Sequence, residues 1–131
     1  MIEVRTLREG EPFPQHLETG FEHMPVINRF CWVAELGKEI IGILMAAPCH
    51  GLVYFVRMRV PDESPSITAA LLFRTAIRDL EKLGFKGYFT HVDPTRPAER
   101  AMIPICRKAG GLQVVTPQVP LVGSIEKAAR F

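Results

Sequence analysis

The sequence is short of the features that would identify it at once. Its three cysteines, Cys31, Cys49 and Cys106, are an odd number at wide spacing with no CxxC pair. That pattern points to buried free thiols and away from a disulfide framework, a zinc ribbon or a thiol-exchange site. The histidines, His16, His23, His50 and His91, are scattered with no HExxH spacing, so no metal site is expected. The longest apolar run, Ile40 to Ala47 with Gly42 inside it, falls far below the ~20 residues of a membrane-spanning helix. The N-terminal stretch MIEVRTLREGEP has no basic segment followed by an apolar one, which argues against a secretion signal. A formal net charge of +2 is too small to imply nucleic acid. The expectation is a cytoplasmic protein with neither membrane nor nucleic acid as partner. No internal repeat or low-complexity tract is present.

What is there describes one folding unit. A chain of 131 residues supports a single genuine core and is too short for two, so residues 1–131 read as one domain. Ile2 to Leu7 alternates partly and suits a first strand. Arg8 to Phe30, with Pro12, Pro14, Gly20 and Pro25, reads as loop with one short helix around Gln15 to His23. FCWVAEL and IIGILMAAP flank the turn GKE as a β-hairpin, and Leu52 to Val60 extends it into an antiparallel meander. At the end of that run Arg57 and Arg59 alternate with Met58 and Val60, which makes one face polar.

The densest stretch is VYFVRMRVPDESPSITAALLFRTAIRDLEKLG, residues 53 to 84. It passes from strand through a short turn into a long amphipathic helix, with Ser64 as an N-cap candidate, Pro65 suited to the first helical position, and Gly84 as the stop. Ala69, Leu72, Phe73, Ala76, Leu80 and Leu83 fall on one helical face. The first N–H groups of such a helix lack intrahelical partners, so a strand, turn and helix in this order can cradle an anion. GYFTHVD then reads as a strand returned in parallel, and Ala98 to Ala109 as a helix kinked or shortened by Pro104. LQVVT and QVPLVGSI read as two final strands with exposed edges, which permit a homodimer. The class is α/β in the α+β sense: a mixed, mostly antiparallel central sheet of about six to seven strands flanked by helices.

That order resembles the GNAT-type N-acetyltransferase superfamily, the acyl-CoA N-acyltransferase-like fold, from about Ile2 to Ile125. WVAELGKEIIGILMA is similar to its second and third strands and VYFVRMRV to its fourth. ITAALLFRTAIRDLEKLG resembles the helix after its pyrophosphate loop, and RKAGG the end of its last helix. The resemblance implies acetyl-CoA as acyl donor and an unknown small-molecule or protein amine as acceptor. It implies cofactor contacts at Met58, Val60, Ser64, Ser66, Ile67 and Thr68. Where the superfamily's loop carries Gln or Arg and then two small residues, this chain has Glu63, Ser66 and Thr68, and Asp62 and Pro65 depart further. These departures motivate an alternative, a non-catalytic binding or structural protein of the same fold, such as a phage accessory or virion-associated protein.

Three residues are candidates for catalysis under the resemblance. Cys106 stands where a tyrosine often protonates the departing thiolate, and Glu99 where an asparagine is common. His91, at the end of the fifth strand, is a candidate general base, as is Glu35 on the hairpin. Each has a plainer reading: a packed cysteine, a structural histidine, a solvated carboxylate. Arg57 and Arg59 either attract CoA phosphates or an acidic substrate, or are simply exposed strand arginines.

Overall fold

The structure is a computed structural model that describes residues 1–17, 30–92, 95, 100, 102–109 and 124–130. Five strands form one sheet in chain order: β1 (Ile2–Thr6), β2 (Phe30–Leu36), β3 (Glu39–Cys49), β4 (Leu52–Arg59) and β5 (Tyr88–Thr90). The first three pairings are antiparallel, and β4 pairs β5 in parallel. Helix α1 (Thr68–Lys82) makes the crossover, α2 is Met102–Ala109 and α3 is Ile125–Ala129. The sheet is thus mixed, mostly antiparallel and flanked by helices. Its strand count among the described residues is five, against the six to seven expected. The difference is the expected C-terminal pair, of which 112–116 and 118–123 lie outside the described residues, as does the dimer edge read from them. Ser124 and Ile125 were expected to finish the last strand. Instead Ser124 accepts a hydrogen bond from the Lys127 N–H and caps α3.

The sheet buries both faces. On one, Trp32, Leu44, Ala46, Val53 and Phe55 pack against Leu72, Phe73, Ala76 and Leu80 of α1 and against Met102 and Cys106 of α2. Each of the larger aliphatic and aromatic side chains among them contributes roughly 1.5–3 kcal/mol by leaving water. The indole of Trp32 donates to Asp79 of α1 at 2.9 Å, which satisfies its polar atom within the core. On the other face Val33, Ile43 and Met45 receive Leu17, Phe13 and Leu7 from the N-terminal loop. The expected helix near Gln15 is a single 3-10 turn, Gln15–Leu17, within the described residues.

Helix α1 ends in a Schellman motif: Phe85 N–H donates to Leu80 and Gly84 N–H to Glu81, with Gly84 at φ +92°. Leu83, placed on the apolar face by its spacing, is 63% exposed because the chain leaves the helix there. At the other end α1 lies so close to β3 that a Cβ on Gly42 would stand 3.1 Å from both Leu72 and Thr68. Pro104 lies within α2.

The N-terminal loop is held by charge. The Arg5 guanidinium donates to both oxygens of Glu11, at 2.7 and 2.8 Å, and to Glu35 at 2.6 Å. Glu11 also accepts from the Arg8 N–H. These hydrogen bonds, Arg5 first, hold the Glu11 carboxyl down at about 2 and lower that of Glu35. A carboxylate whose value falls on folding stabilises the protein above its ordinary value near 4.5, and that contribution is lost as pH falls toward 2. Glu11→Gln should therefore cost about 1 kcal/mol at pH 7, solvent keeping it small. Urea midpoints followed from pH 7 to pH 2 should show the gap to wild type closing below about pH 4.5. A gap independent of pH would rule out the ion pair as its source.

Candidate functional site

Strand β4 has different partners on its two sides. Against β3 it pairs along its length, but the register moves from Met45 opposite Arg57 to Ala46 opposite Phe55, which leaves Val56 as an extra residue. That is a β-bulge. Against β5 it pairs only from Val53–Tyr88 to Phe55–Thr90. Beyond that point the two parallel strands part, and Val56 to Arg59 have no strand on that side among the described residues. Thr90 closes the last pair by donating its hydroxyl to the Phe55 carbonyl at 3.1 Å.

At the far end of β4 the turn delivers α1. The helix begins at Thr68, with Ile67 at its N-cap and no side-chain cap, so Ser64 and Pro65 are not the helix start that their types suggest. The Ser64 hydroxyl donates to the Ile41 carbonyl at 2.7 Å and ties the turn to β3. Thr68 N–H donates to Pro65, and Leu71 N–H makes the first helical bond, to Ile67. The N–H groups of Ser66, Ile67, Ala69 and Ala70 donate to no backbone oxygen among the described residues. They form an unfilled donor set at a positive helix end, the chemistry that holds phosphate. Pro65, which lacks an N–H, stands before this set and removes nothing from it. Asp62 and Glu63 are exposed. Beside the donors Thr68 is fully buried, and its Oγ1 has no hydrogen-bond partner. The residues present thus fit an anionic cofactor.

The catalytic candidates fall in three places. His91 follows β5 at the parting and is exposed, its Nδ1 sharing a hydrogen bond with the Tyr54 hydroxyl at 3.2 Å. Its ring stands edge-on to Tyr54, which stacks on Phe89 with centroids 4.8 Å apart. Cys106 is buried in the α1-side core, where burial raises its thiol. Its neighbour is Tyr88, whose hydroxyl is pushed up to about 12, first by burial and then by Cys106. Glu35 lies on β2, two strands from β4, and is engaged by Arg5. Met58 and Val60 pack toward the α1-side core, so any cofactor contact from them falls to their backbone. Glu99 lies outside the described residues. The sequence does not single out Tyr54 and Phe89, which carry no motif and stand two and one residues from the ends of their strands.

The described residues include no group of three or more His, Cys, Asp or Glu side chains arranged to hold a metal ion, and no helix long and apolar enough to cross a membrane. A shallow groove of about 700 Å³ lies at the β2–β3 hairpin, bordered by Phe13, Pro14, Leu36 and Ile40. It is apart from the β4–β5 parting and open to solvent.

Solved structures share this architecture. A GNAT family acetyltransferase from Elizabethkingia anophelis with acetyl-CoA bound superposes with a TM-score of 0.68 at 14% identity, covering 83% of this chain and 74% of that one. The ribosomal-protein-S18-alanine N-acetyltransferase from Escherichia coli gives 0.69 at 16% identity, over 84% and 77%. An aminoglycoside acetyltransferase from an uncultured soil metagenomic sample, in complex with sisomicin, gives 0.68 at 18% identity, over 92% and 97%. No family model and no curated protein matches the sequence. The chain has an acyl-CoA N-acyltransferase fold. More particularly, it is the fold that these GNAT-type N-acetyltransferase structures share.

Thr68 provides a test of the helix start. Replacing a buried, unpartnered hydroxyl by a methyl of the same shape removes a desolvation penalty. Thr68→Val should unfold at a urea concentration equal to or above that of wild type, with a gain of up to about 1 kcal/mol. A loss of that size would mean that Oγ1 has a partner in solution.

Proposed function

We propose that the protein is a small N-acetyltransferase that moves an acetyl group from acetyl-CoA to an amine by direct attack within a ternary complex. The observation that carries this reading is the parting of β4 from β5 beside the Val56 bulge, with unfilled N–H groups of the α1 end at its other extremity. A strand edge at one end and a phosphate cradle at the other suit an extended thioester cofactor.

In this scheme the N–H groups of Ser66, Ile67, Ala69 and Ala70 hold the pyrophosphate, and the backbone edge of β4 beyond the Val56 bulge, rather than any side chain on it, aligns the pantetheine arm. The bulge offers a backbone donor to the thioester carbonyl as charge develops on its oxygen. His91 takes the proton lost by the substrate ammonium. In the tautomer whose Nδ1–H donates to Tyr54, the lone pair on Nε2 is the acceptor. The amine nitrogen forms the new C–N bond, the C–S bond breaks with its electron pair on sulfur, and a proton from the nitrogen completes the thiol. Most of the rate comes from holding the two reactants together. Cys106 serves packing: its thiol is buried, and burial keeps its proton on near neutral pH. Glu35 is the weaker base because Arg5 holds it ionised.

A second reading, a binding or structural protein with this fold, is favoured by Asp62, Glu63 and the missing loop glycines. Thermal-shift titration with acetyl-CoA and with CoA separates the two. A ligand of the folded state adds about 2.7 kcal/mol at 100 times its dissociation constant, so a rise of several degrees is expected at millimolar cofactor. No shift at that concentration sinks the enzyme reading.

Cys106→Ala should lower the melting temperature, by about 1–2 kcal/mol of lost packing, while turnover per folded molecule stays within about threefold. A hundredfold fall in kcat would assign the thiol the proton-donor role.

A further inference from the structure

Arg57 and Arg59 belong to the parting, yet neither the fold nor acetyl transfer to a generic amine uses them. The register fixes where they point. Arg57 stands opposite Met45, Arg59 opposite Ile43 and Tyr54 opposite Ala47. Directly opposed residues of antiparallel strands share a face, and Met45 and Ile43 are buried in the cluster away from α1. Both arginines and Tyr54 therefore emerge on that face, where Phe89 stacks on Tyr54 and His91 stands against both rings. One face of the parting carries, in sequence along β4, an imidazole with two aromatic rings and then two guanidinium groups.

Neither guanidinium has an ion pair or a side-chain hydrogen bond among the described residues, although Arg57 is half-buried and Asp62 and Glu63 follow within six positions. The contrast is Arg5, which engages two carboxylates at 2.7 and 2.6 Å. Arginines alternating on a strand lie about 7 Å apart and repel each other. Without an ion-pair partner among the described residues, and beside the parting, they suit a planar anion, which a guanidinium binds in bidentate fashion.

We propose that the acyl acceptor is an amine that also bears a carboxylate. Arg57 and Arg59 hold the carboxylate, and Tyr54 and Phe89 support the body of the molecule. Its ammonium lies at His91, which takes the proton as the nitrogen acquires the acetyl group and sulfur leaves as the thiol. This inference rests on the acetyltransferase reading and narrows it to a substrate class.

The test uses the full chain saturated with CoA, a dead-end complex that needs no turnover. Amino acids and short acidic peptides are compared with their carboxamides by thermal shift. The carboxylates should raise the melting temperature at concentrations at least tenfold below those at which their carboxamides act. Arg57→Ala should abolish that difference and leave the shift caused by CoA itself unchanged, and Arg57→Lys should restore part of it. Equal responses to carboxylate and carboxamide overturn the substrate class while the cofactor reading stands. A CoA shift lost in Arg57→Ala also overturns it, by assigning the arginine to the cofactor phosphates. Absence of any CoA shift in the wild type sinks the acetyltransferase reading and this inference with it.

Discussion

The architecture depends on one extra residue in β4. In a regular strand Phe55 and Arg57 would share a face, because side chains alternate with a period of two. Val56 breaks that phase: Phe55 and Met58, three apart, both pack on the α1 side, and Tyr54 and Arg57 both emerge on the other. Without the bulge, either an arginine would enter the apolar core under α1 or Phe55 would leave it. Burying an unpaired guanidinium costs several kcal/mol, so the two halves of β4 are compatible only through the bulge. The same irregularity ends the match with β5 and opens the parting. Core packing and the candidate site thus have one geometric origin.

Charge is distributed to suit. On the face away from α1, the carboxylates of Glu11 and Glu35 are both taken by Arg5, which fastens the N-terminal loop to the sheet. Hydrogen bonds to Arg5 keep both carboxyls ionised at neutral pH. They bring no free negative charge to Arg57 and Arg59. A free carboxylate there would neutralise the arginines within the molecule and leave nothing to attract an outside anion. Near β5 the arrangement is the reverse: Tyr88 and Cys106 are buried groups whose burial favours their neutral forms, which adds no charge to the α1 side of the parting.

Element types were readable wherever periodicity and turn chemistry agreed. Phe30–Leu36 was legible to the residue, and β1, β3 and β4 within one position at each end, because β-branched and aromatic runs are bounded there by Gly37, the His50–Gly51 turn and Pro61. The start of α1 was not legible. Ser64 and Pro65 have the composition of a cap and first turn, but the serine hydroxyl is drawn to the Ile41 carbonyl, a partner 23 residues away that no local rule contains. Thr68 in turn is buried because α1 presses on Gly42, another long-range contact. The bulge and the residue that forms it come from the register. His91 was a candidate base from its place after a strand; Tyr54 and Phe89 stand beside it because parallel pairing sets them side by side.

The late start of α1 changes how the turn's acidic residues weigh against anion binding. Were the helix to begin at Ser64, Glu63 would precede it directly and Pro65 would remove a donor from its first turn. A charge pair 5 Å apart at an effective dielectric of 20 is worth about 3 kcal/mol, more than a helix end returns. With Thr68 first, the donors are at Ser66, Ile67, Ala69 and Ala70, and Asp62 and Glu63 lie before the Ser64 anchor, exposed to water. For exposed charges in water, at a dielectric of about 80, the same repulsion falls to roughly 0.8 kcal/mol even at 5 Å and is screened further by salt. The helix end, at 0.3–1 kcal/mol plus its unpaired N–H groups, is then the larger effect. The Ser64–Ile41 hydrogen bond, by fixing the turn, is therefore what holds the acidic residues apart from the unfilled N–H groups of the helix end.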